Sequence, residues 1–588
     1  MTTPEQPDTD FSDPEPSEPL APPPPVPHAA TRHMCVGCYV DHEFRERAMT
    51  EVYLDRSRQV APAYGYDLVP VLVHARRAGW IDHAQHVLVI LVALFWIRHD
   101  LFAAALTVST VITWYVLKRF WRLFKDYAGY IRHRGSLAER SHLRRRFRWL
   151  TAGLIAPWIA VIGVAFYSAR SILDSHAAHP EHVAIEVART ILSLMGIVVA
   201  AAVVRQICID SLANDPTRPR TYSHRIEQVR TEQYRPITIF SGYRPYIGSG
   251  FEVRTWSFAQ RLRRIGEGSE VPFASEPDDN RRPSPVPAPP GPPPFRTLDL
   301  IEHIKQSVSS LANDVNPELR LPGLRIYDKA FVGGFRAAKL VGVSDDASIY
   351  ALLANPSDPD RHYITCEIVA LNGEVVATVF VHAGIQAHAL YLEFTSWAMP
   401  PTRVGFQIVD LRRGRGLPAY LGAIGRAVAR MPAEFGRAPA GIGILLARPF
   451  YALRPGFDRA RDQLRDVGAR LSLRELAANV RTNDKGQVDE VPAVSYFQGR
   501  DIVKYLQIIE RRLLSTVMEY IEDLDLDITE FRQRARAILN DGALSLGSGD
   551  IHGSGRGSIN ILNSGDLTVT ASVIGHNSTV NVGSGEAL

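Results

Sequence analysis

The chain has 588 residues and a mass of 65.3 kDa, a length that predicts about three or four structural units. Hydrophobic residues make up 46% and charged residues 22%, enough to bury a core, while a net charge of +4 excludes a chain that binds nucleic acid over its whole surface. Four Cys exclude a disulfide framework, and only seven of the 66 basic residues are Lys, a skew that points to a GC-rich bacterial genome.

Residues 1–30 hold ten Pro and six Asp/Glu, with no Lys or Arg before Arg32. Such a segment cannot bury enough apolar surface to offset its ordering entropy. It also lacks the basic and apolar regions of a secretory signal. A disordered, acidic, Pro-rich tail left in the cytoplasm is expected. Tyr39, Phe44, Met49, Val52 and Tyr53 then give a partly helical spacing across 39–54. The turn Pro62-Ala63-Tyr64-Gly65-Tyr66 ends it, and 31–78 reads as a juxtamembrane helical segment.

The region 79–209 carries four apolar stretches: 85–97, 101–117, 149–169 and 190–204. A spanning helix needs about 20 mostly apolar residues. The third stretch meets that length, and the second nearly does. The first and fourth reach it by including His83, His86 or Glu186. The expected architecture is about four transmembrane helices, with Trp96 and Trp114 as interfacial anchors. For 85–117, two spans and a re-entrant hairpin both remain open. The loop 118–148 holds eleven Lys/Arg against Asp126 and Glu139, a net +9, whereas the outer connections offer Arg98 and Arg170. The excess of basic residues predicts a cytoplasmic loop, and with it cytoplasmic termini, in a multi-pass bacterial cell-membrane protein.

Beyond Arg205 the pattern is that of cytoplasmic α+β structure. In 215–265, Pro236 to Phe240 reads as a buried strand and Trp256 to Leu262 as a helix. A second Pro-rich linker covers 266–295. The α+β domain proper, 296–541, opens with Thr297 capping a helix striped by Leu298, Ile301, Ile304, Val308 and Leu311. Tyr363 to Leu371 and Glu374 to Val381 flank Asn372-Gly373, a hairpin signal because both turn residues need positive φ. Ala389 to Phe394 and Val404 to Val409 add strands, and helices are expected at 418–430, 457–480 and 499–523. Asp527-Ile528-Thr529-Glu530 reads as a capping box for a helix through Leu539. The last part, 542–588, is a Gly/Ser/Asn-rich, β-prone tail with weakly repeated turn-strand units at Ile559 to Asn563 and Leu567 to Thr570.

Few motifs carry chemistry. Cys35-Val36-Gly37-Cys38 is a CxxC with His33 and His42 nearby, but no second ligand pair at zinc spacing follows, so no metal site is assigned. Ser241-Gly242 and Gly248-Ser249-Gly250 follow a strand, and Arg244 and Arg254 could hold an anion there, yet no Walker or dinucleotide signature is present. Cys366 with His362, His382 and Asp410, or Glu393 paired with Asp410, are conceivable catalytic sets that no spacing rule supports. Catalytic residues and cofactors are therefore left unassigned. In the basic loop, Arg119, Arg122, Lys125, Arg144, Arg145 and Arg146 are expected to meet anionic lipid headgroups rather than nucleic acid. In the tail, residues 559–583 have the composition of steric-zipper segments, and Val573, Ile574, Gly575 and Asn577 are the candidates for self-association with like tails; a small β-solenoid cap or a flexible tail is the alternative reading. Those four residues also resemble short amyloid-type signalling motifs of bacterial conflict proteins.

Arg32-His33-Met34-Cys35 to Tyr39, Val60 to Leu68, Ser241-Gly242-Tyr243, Trp256-Ser257-Phe258-Ala259 and Ile528 to Gly542 resemble a group of uncharacterised actinobacterial multi-pass membrane proteins. The resemblance implies a membrane architecture over much of the chain and brings no activity, cofactor or functional residue. Cys38 stands where that group often has Ala. The function expected is a membrane-anchored cytoplasmic scaffold or signalling module. The alternative is a membrane-bound enzyme acting on a nucleotide or lipid headgroup near Ser241 to Phe258. A transporter ranks third, since His83, His86 and Glu186 lie near helix ends.

Overall fold

The structure is a computed structural model. It describes residues 29–99, 107, 109, 113, 180–212, 223–242, 244–265, 294–340, 344–355, 358–386, 388–411, 416–453, 467–482, 488–490 and 496–540. At its centre is a six-stranded sheet: β1 (Ile237–Phe240), β2 (Phe251–Arg261), β3 (Leu324–Gly333), β4 (Arg361–Ala370), β5 (Val375–Gln386) and β6 (Ala389–Met399). The strand order is β1-β3-β4-β5-β6-β2. Only β1 and β3 run parallel, with Ile237 opposite Ala330; the other pairs are antiparallel. Leu371, Asn372 and Gly373 all take positive φ between β4 and β5, so the Asn-Gly signal marks a true hairpin with a four-residue loop closed by the pair Ala370–Val375.

Alternation assigns the two faces. Ile364, Cys366 and Ile368 of β4, Val379 and Val381 of β5, and Leu392 and Phe394 of β6 point to one side. There they meet α6 (Thr297–Ser309), α10 (Tyr496–Glu522) and α11 (Thr529–Asn540) through Ile301, Ile304 and Val308, then Ile509, Leu513 and Val517, then Phe531. Each such side chain contributes roughly 1.5–3 kcal/mol on burial. Leu298 is exposed and Arg296 holds the cap position, so the α6 stripe begins one turn later than the sequence suggests. The α7 helix (Asp345–Ala354), capped by Ser344, covers the β1–β3 end through Ile349. On the other face Tyr246, Phe331, Tyr363, Phe380 and Trp397 form a ring cluster roofed by Tyr64.

A second body surrounds the N-terminal segment. The expected helix at 39–54 is instead α1 (Ala29–Val40), a break at Asp41, α2 (His42–Arg47) and a π turn at Ala48–Tyr53. Asp41 causes the break: its carboxylate accepts from the Glu43 and Phe44 amides and starts a new helix. These elements bury Met34, Cys38 and Phe44 with the foot of α3 (Leu68–His99), the end of α4 (Pro180–Ser211), α5 (His224–Glu232), Phe406 and α9 (Leu473–Ala478). Val404 to Val409 is therefore not a strand. It is a 3-10 turn that sets Phe406 edge-on against Phe44.

Two helices, Leu68–His99 and the Ile185–Ser211 stretch of α4, are long and apolar enough to cross a membrane. Only 17% and 28% of their apolar windows are buried, so neither is an enclosed core helix, and Leu91, Leu94, Phe95 and Leu192 face outward. They run antiparallel, with Trp96 donating to Ser193 at 3.2 Å and Arg205 to Asp82 at 2.6 Å. The α3 helix starts well before the apolar stretch at 85, because its first three turns are buried in the N-terminal body. The stretches 101–117 and 149–169 lie outside the described residues apart from 107, 109 and 113, so four spans are not on view. The helix expected at 418–430 extends much further, as α8 (Gly416–Leu453), and lies against both apolar helices. Small residues permit the approach: Ala427 meets Val198 and Ala202, and Ala438 shares a cluster with Val89 and Leu194.

Candidate functional site

Where α1 and α2 meet α3, α4 and α8, a wide cleft of about 960 Å³ opens, with five arginines and five carboxylates along its walls. Asp82 lies at its floor and joins two cations, Arg45 of α2 and Arg205 of α4. Arg205 also donates to the Gln85 side-chain oxygen at 2.7 Å, and Gln85 donates to Glu434 of α8 at 3.3 Å. His86 stands 4.0 Å from the same carboxylate. Arg45 is fixed further by the Cys38 carbonyl at 2.9 Å and by His42 at 3.0 Å. Buried charge is tolerated only when it is paired and hydrogen-bonded. Here the pairing links the N-terminal body, the apolar helices and α8 at one level. The arrangement can hold those parts in one register, or exchange its internal ion pairs for a charged ligand in the cleft.

A second polar cluster lies inside the ring-lined face of the sheet. Lys329 of β3 is buried, with its ammonium 4.9 Å from the Tyr64 ring centre and 5.9 Å from that of Tyr327. Burial draws its pKa down to about 7, with Glu367 opposing. Glu367 accepts from the Tyr327 hydroxyl at 3.0 Å and the Gly65 amide at 3.1 Å. A shallow recess of about 10 Å³, room for roughly one water, adjoins Lys329, Glu367, Arg325 and Tyr234. The neighbouring hydroxyls of Thr365 and Thr378 are fully buried and make no hydrogen bond among the described residues. At the open end of the same face, Glu393 accepts from Tyr363 at 2.9 Å, from Tyr391 at 3.1 Å and from Arg361 at 2.6 Å.

The positions singled out in the sequence are distributed differently. The turn at Gly248 to Gly250 is an anion seat, as its spacing suggests, but the chain fills it: Glu475 accepts from the Gly248 amide at 2.8 Å and the Gly250 amide at 3.2 Å. Arg244 grips the same carboxylate with two nitrogens, at 2.9 and 3.0 Å. Gly250 is obligatory, because a Cβ there would sit 2.1 Å from the Ala398 carbonyl. Arg254 points away, to Glu510 at 3.2 Å and the Ile538 carbonyl. The turn leads directly into β2 and not into a helix. A bulge between Glu252 and Arg254 interrupts the alternation that would have revealed the strand.

Cys35 and Cys38 are buried in α1, where burial pushes the Cys38 thiol up to about 12 and Cys35 well above its usual range. His33 turns from them to Glu374 at 2.6 Å and Asp410 at 2.7 Å, fastening α1 to the β4–β5 loop. Among the described residues no group of three or more His, Cys, Asp or Glu side chains is placed to hold a metal ion. The Cys366 set does not assemble. Its thiol is buried and raised to about 12, His362 meets Asp328 at 2.9 Å, and His382 meets the His362 carbonyl at 2.7 Å. Glu393 and Asp410 keep separate partners. Of the helix expected at 457–480, the described part is α9 alone, with Ala469 bridged to Phe240 as extended chain. The lipid-facing group (Arg119, Arg122, Lys125, Arg144, Arg145 and Arg146) and the tail positions Val573, Ile574, Gly575 and Asn577 lie outside the described residues.

Sequence reasoning passes over Asp82, Glu434, Glu475 and Lys329. For Lys329 a signal exists: one of only seven lysines stands inside Ile326-Tyr327-Asp328-Lys329-Ala330-Phe331, a strand-like run. Asp82 sits immediately before the first apolar stretch, where it reads as a boundary. A family model described as the AbeC-like domain matches residues 255–559, just over half of the chain. No curated protein and no solved structure matches it.

Proposed function

The chain belongs to the AbeC-like domain family, and from that premise we propose that it is a membrane-anchored scaffold or signalling module whose family domain works at the cytoplasmic face. One observation carries this reading. The long helix α8, inside the family region, lies along both apolar helices, and its Glu434 joins the ion-pair network at their foot. A soluble domain merely tethered by a linker would have no reason to place a part-buried polar network at that junction. The cleft is the element through which a change at the helices would reach the sheet. The finer picture is a multi-pass bacterial cell-membrane protein with about four spans and cytoplasmic termini. It includes basic-loop contact with anionic headgroups and homotypic tail contact, and it rests on charge and composition alone.

The test is made in native membranes. Fractionation after an alkaline carbonate wash is combined with a disulfide trap between Val89→Cys and Met431→Cys. The proposal expects pelleted protein and a trap that forms upon mild oxidation. Release into the supernatant would remove the membrane reading, and pelleted protein without the trap would remove the coupling. A second reading, a cytoplasmic-face enzyme, draws on Lys329, where an amine near neutrality adjoins a tyrosine–carboxylate pair; the recess beside it admits about one water, so this reading requires the face to open for a substrate.

A further inference from the structure

The sheet has an exposed edge at β2, and the neighbouring chemistry indicates what covers it. The β2 strand spans Phe251–Arg261, long for an edge, and its centre from Thr255 to Ala259 carries no charge. Two contacts fix which backbone groups face outward. The Leu262 amide donates to the His388 carbonyl next to β6, whereas the Ala259 carbonyl takes an outside donor, Arg534, at 2.6 Å. Even-numbered residues therefore serve the ladder with β6, and Thr255, Ser257 and Ala259 turn their amides and carbonyls away from it. Apart from the Arg534 side chain, these outward backbone groups have no partner among the described residues, and all three residues are exposed. Protein sheets rarely leave so long a row unpaired, because it templates pairing with another strand.

We propose that this edge seats a strand from the chain's own C-terminal segment, 559–570. The α11 helix ends at Asn540 beside β2: Arg254 of β2 holds the Ile538 carbonyl, and Arg534 of α11 holds Ala259. The chain beyond therefore starts at the exposed edge. From 541 to 559 it can reach about 60 Å at ~3.3 Å per residue, more than the ~36 Å length of β2. The family match runs from 255, within β2, to 559, where the proposed strand begins. Ile559-Asn560-Ile561-Leu562-Asn563 and Leu567-Thr568-Val569-Thr570 are uncharged, β-branched runs with no Pro, suited to pair with an uncharged edge.

Hydrogen–deuterium exchange on the full chain in detergent tests this. Amides of Thr255, Ser257 and Ala259 should be protected, and the double substitution Ile561→Asp with Val569→Asp should speed their exchange at least tenfold. Amides of β5 and β6 should not change, which shows that the fold survives. Ser257→Pro removes one outward amide without touching the ladder, and should make the 559–570 segment sensitive to protease. Equal exchange in the parent and the Asp variant would overturn the proposal. So would protection that fades on dilution, since the strand would then come from a second copy.

Discussion

Single side chains bear more charge inside this protein than its near-neutral total suggests. Lys329 is the clearest case, because it is buried against tyrosine rings and, among the described residues, makes no ion pair, with Glu367 acting on it only from a distance. Its folded pKa, about 7, lies below the usual 10.5, so the folded state loses stability as pH falls from 10.5 to 7 and no further below that. Lys329→Met should therefore raise the melting temperature most below pH 7. The gain should shrink as pH climbs towards 10, which thermal scans across that range would show. Asp82 presents the opposite situation. Replacing it with Ala strands Arg45 and Arg205 and should destabilise the detergent-solubilised protein by about 3 kcal/mol in denaturant titrations. The triple replacement Arg45→Met, Asp82→Leu and Arg205→Met should recover most of that loss, because no unpaired charge remains. If the triple variant is worse than the single, the network does more than satisfy itself.

Among the elements, legibility in the sequence tracks the strength of local periodicity. The α10 stripe of Ile502, Leu506, Ile509, Leu513 and Val517 is plain because every position meets one sheet face. The β4 and β5 strands are plain because Asn372-Gly373 states its own geometry. The β2 strand reads wrongly as a helix because the bulge at Glu252 to Arg254 shifts its alternation and the polar Gln260 occupies the buried position between Phe258 and Leu262. The role of α8 is invisible for a different reason. Its Ala and Gly positions have meaning only beside a partner, and the partners, α3 and α4, lie more than two hundred residues earlier. The candidate cleft shares that difficulty, since Arg45, Asp82, Arg205 and Glu434 come from four separate helices. The close approach of α8 gives a direct expectation. Ala427→Leu should overfill the contact with Val198 and Ala202 and cost about 1–3 kcal/mol in the same titrations. Leu421→Ala, at an exposed position of the same helix, should cost far less.

At the scale of the whole molecule, the family-matched region does not own all of its sheet. The β1 strand, Tyr64, Gly65 and the Gly248 to Gly250 turn all precede residue 255, yet they close one edge and roof one face of it. Residues 255–559 made alone should expose the β3 edge together with Phe331, Phe380 and Trp397. The expected result is an aggregating or partly folded product, read by size exclusion and dye binding, which the supply of 29–254 on the same chain prevents.

The parallel pairing of β1 with β3, Ile237 beside Ala330, also orders events during translation. Residues of β1 leave the ribosome before any strand they can join, and at about 5–20 residues per second the wait for β3 is several seconds. In that interval the two apolar helices are already made, while the nascent N-terminal half still lacks Phe406, α9 and the rest of the sheet that complete its core. The ribosome thus delivers the two apolar helices first and the parts that complete the core around their foot last. Slow codons or a chaperone acting between residues 240 and 330 would set how much of the protein matures.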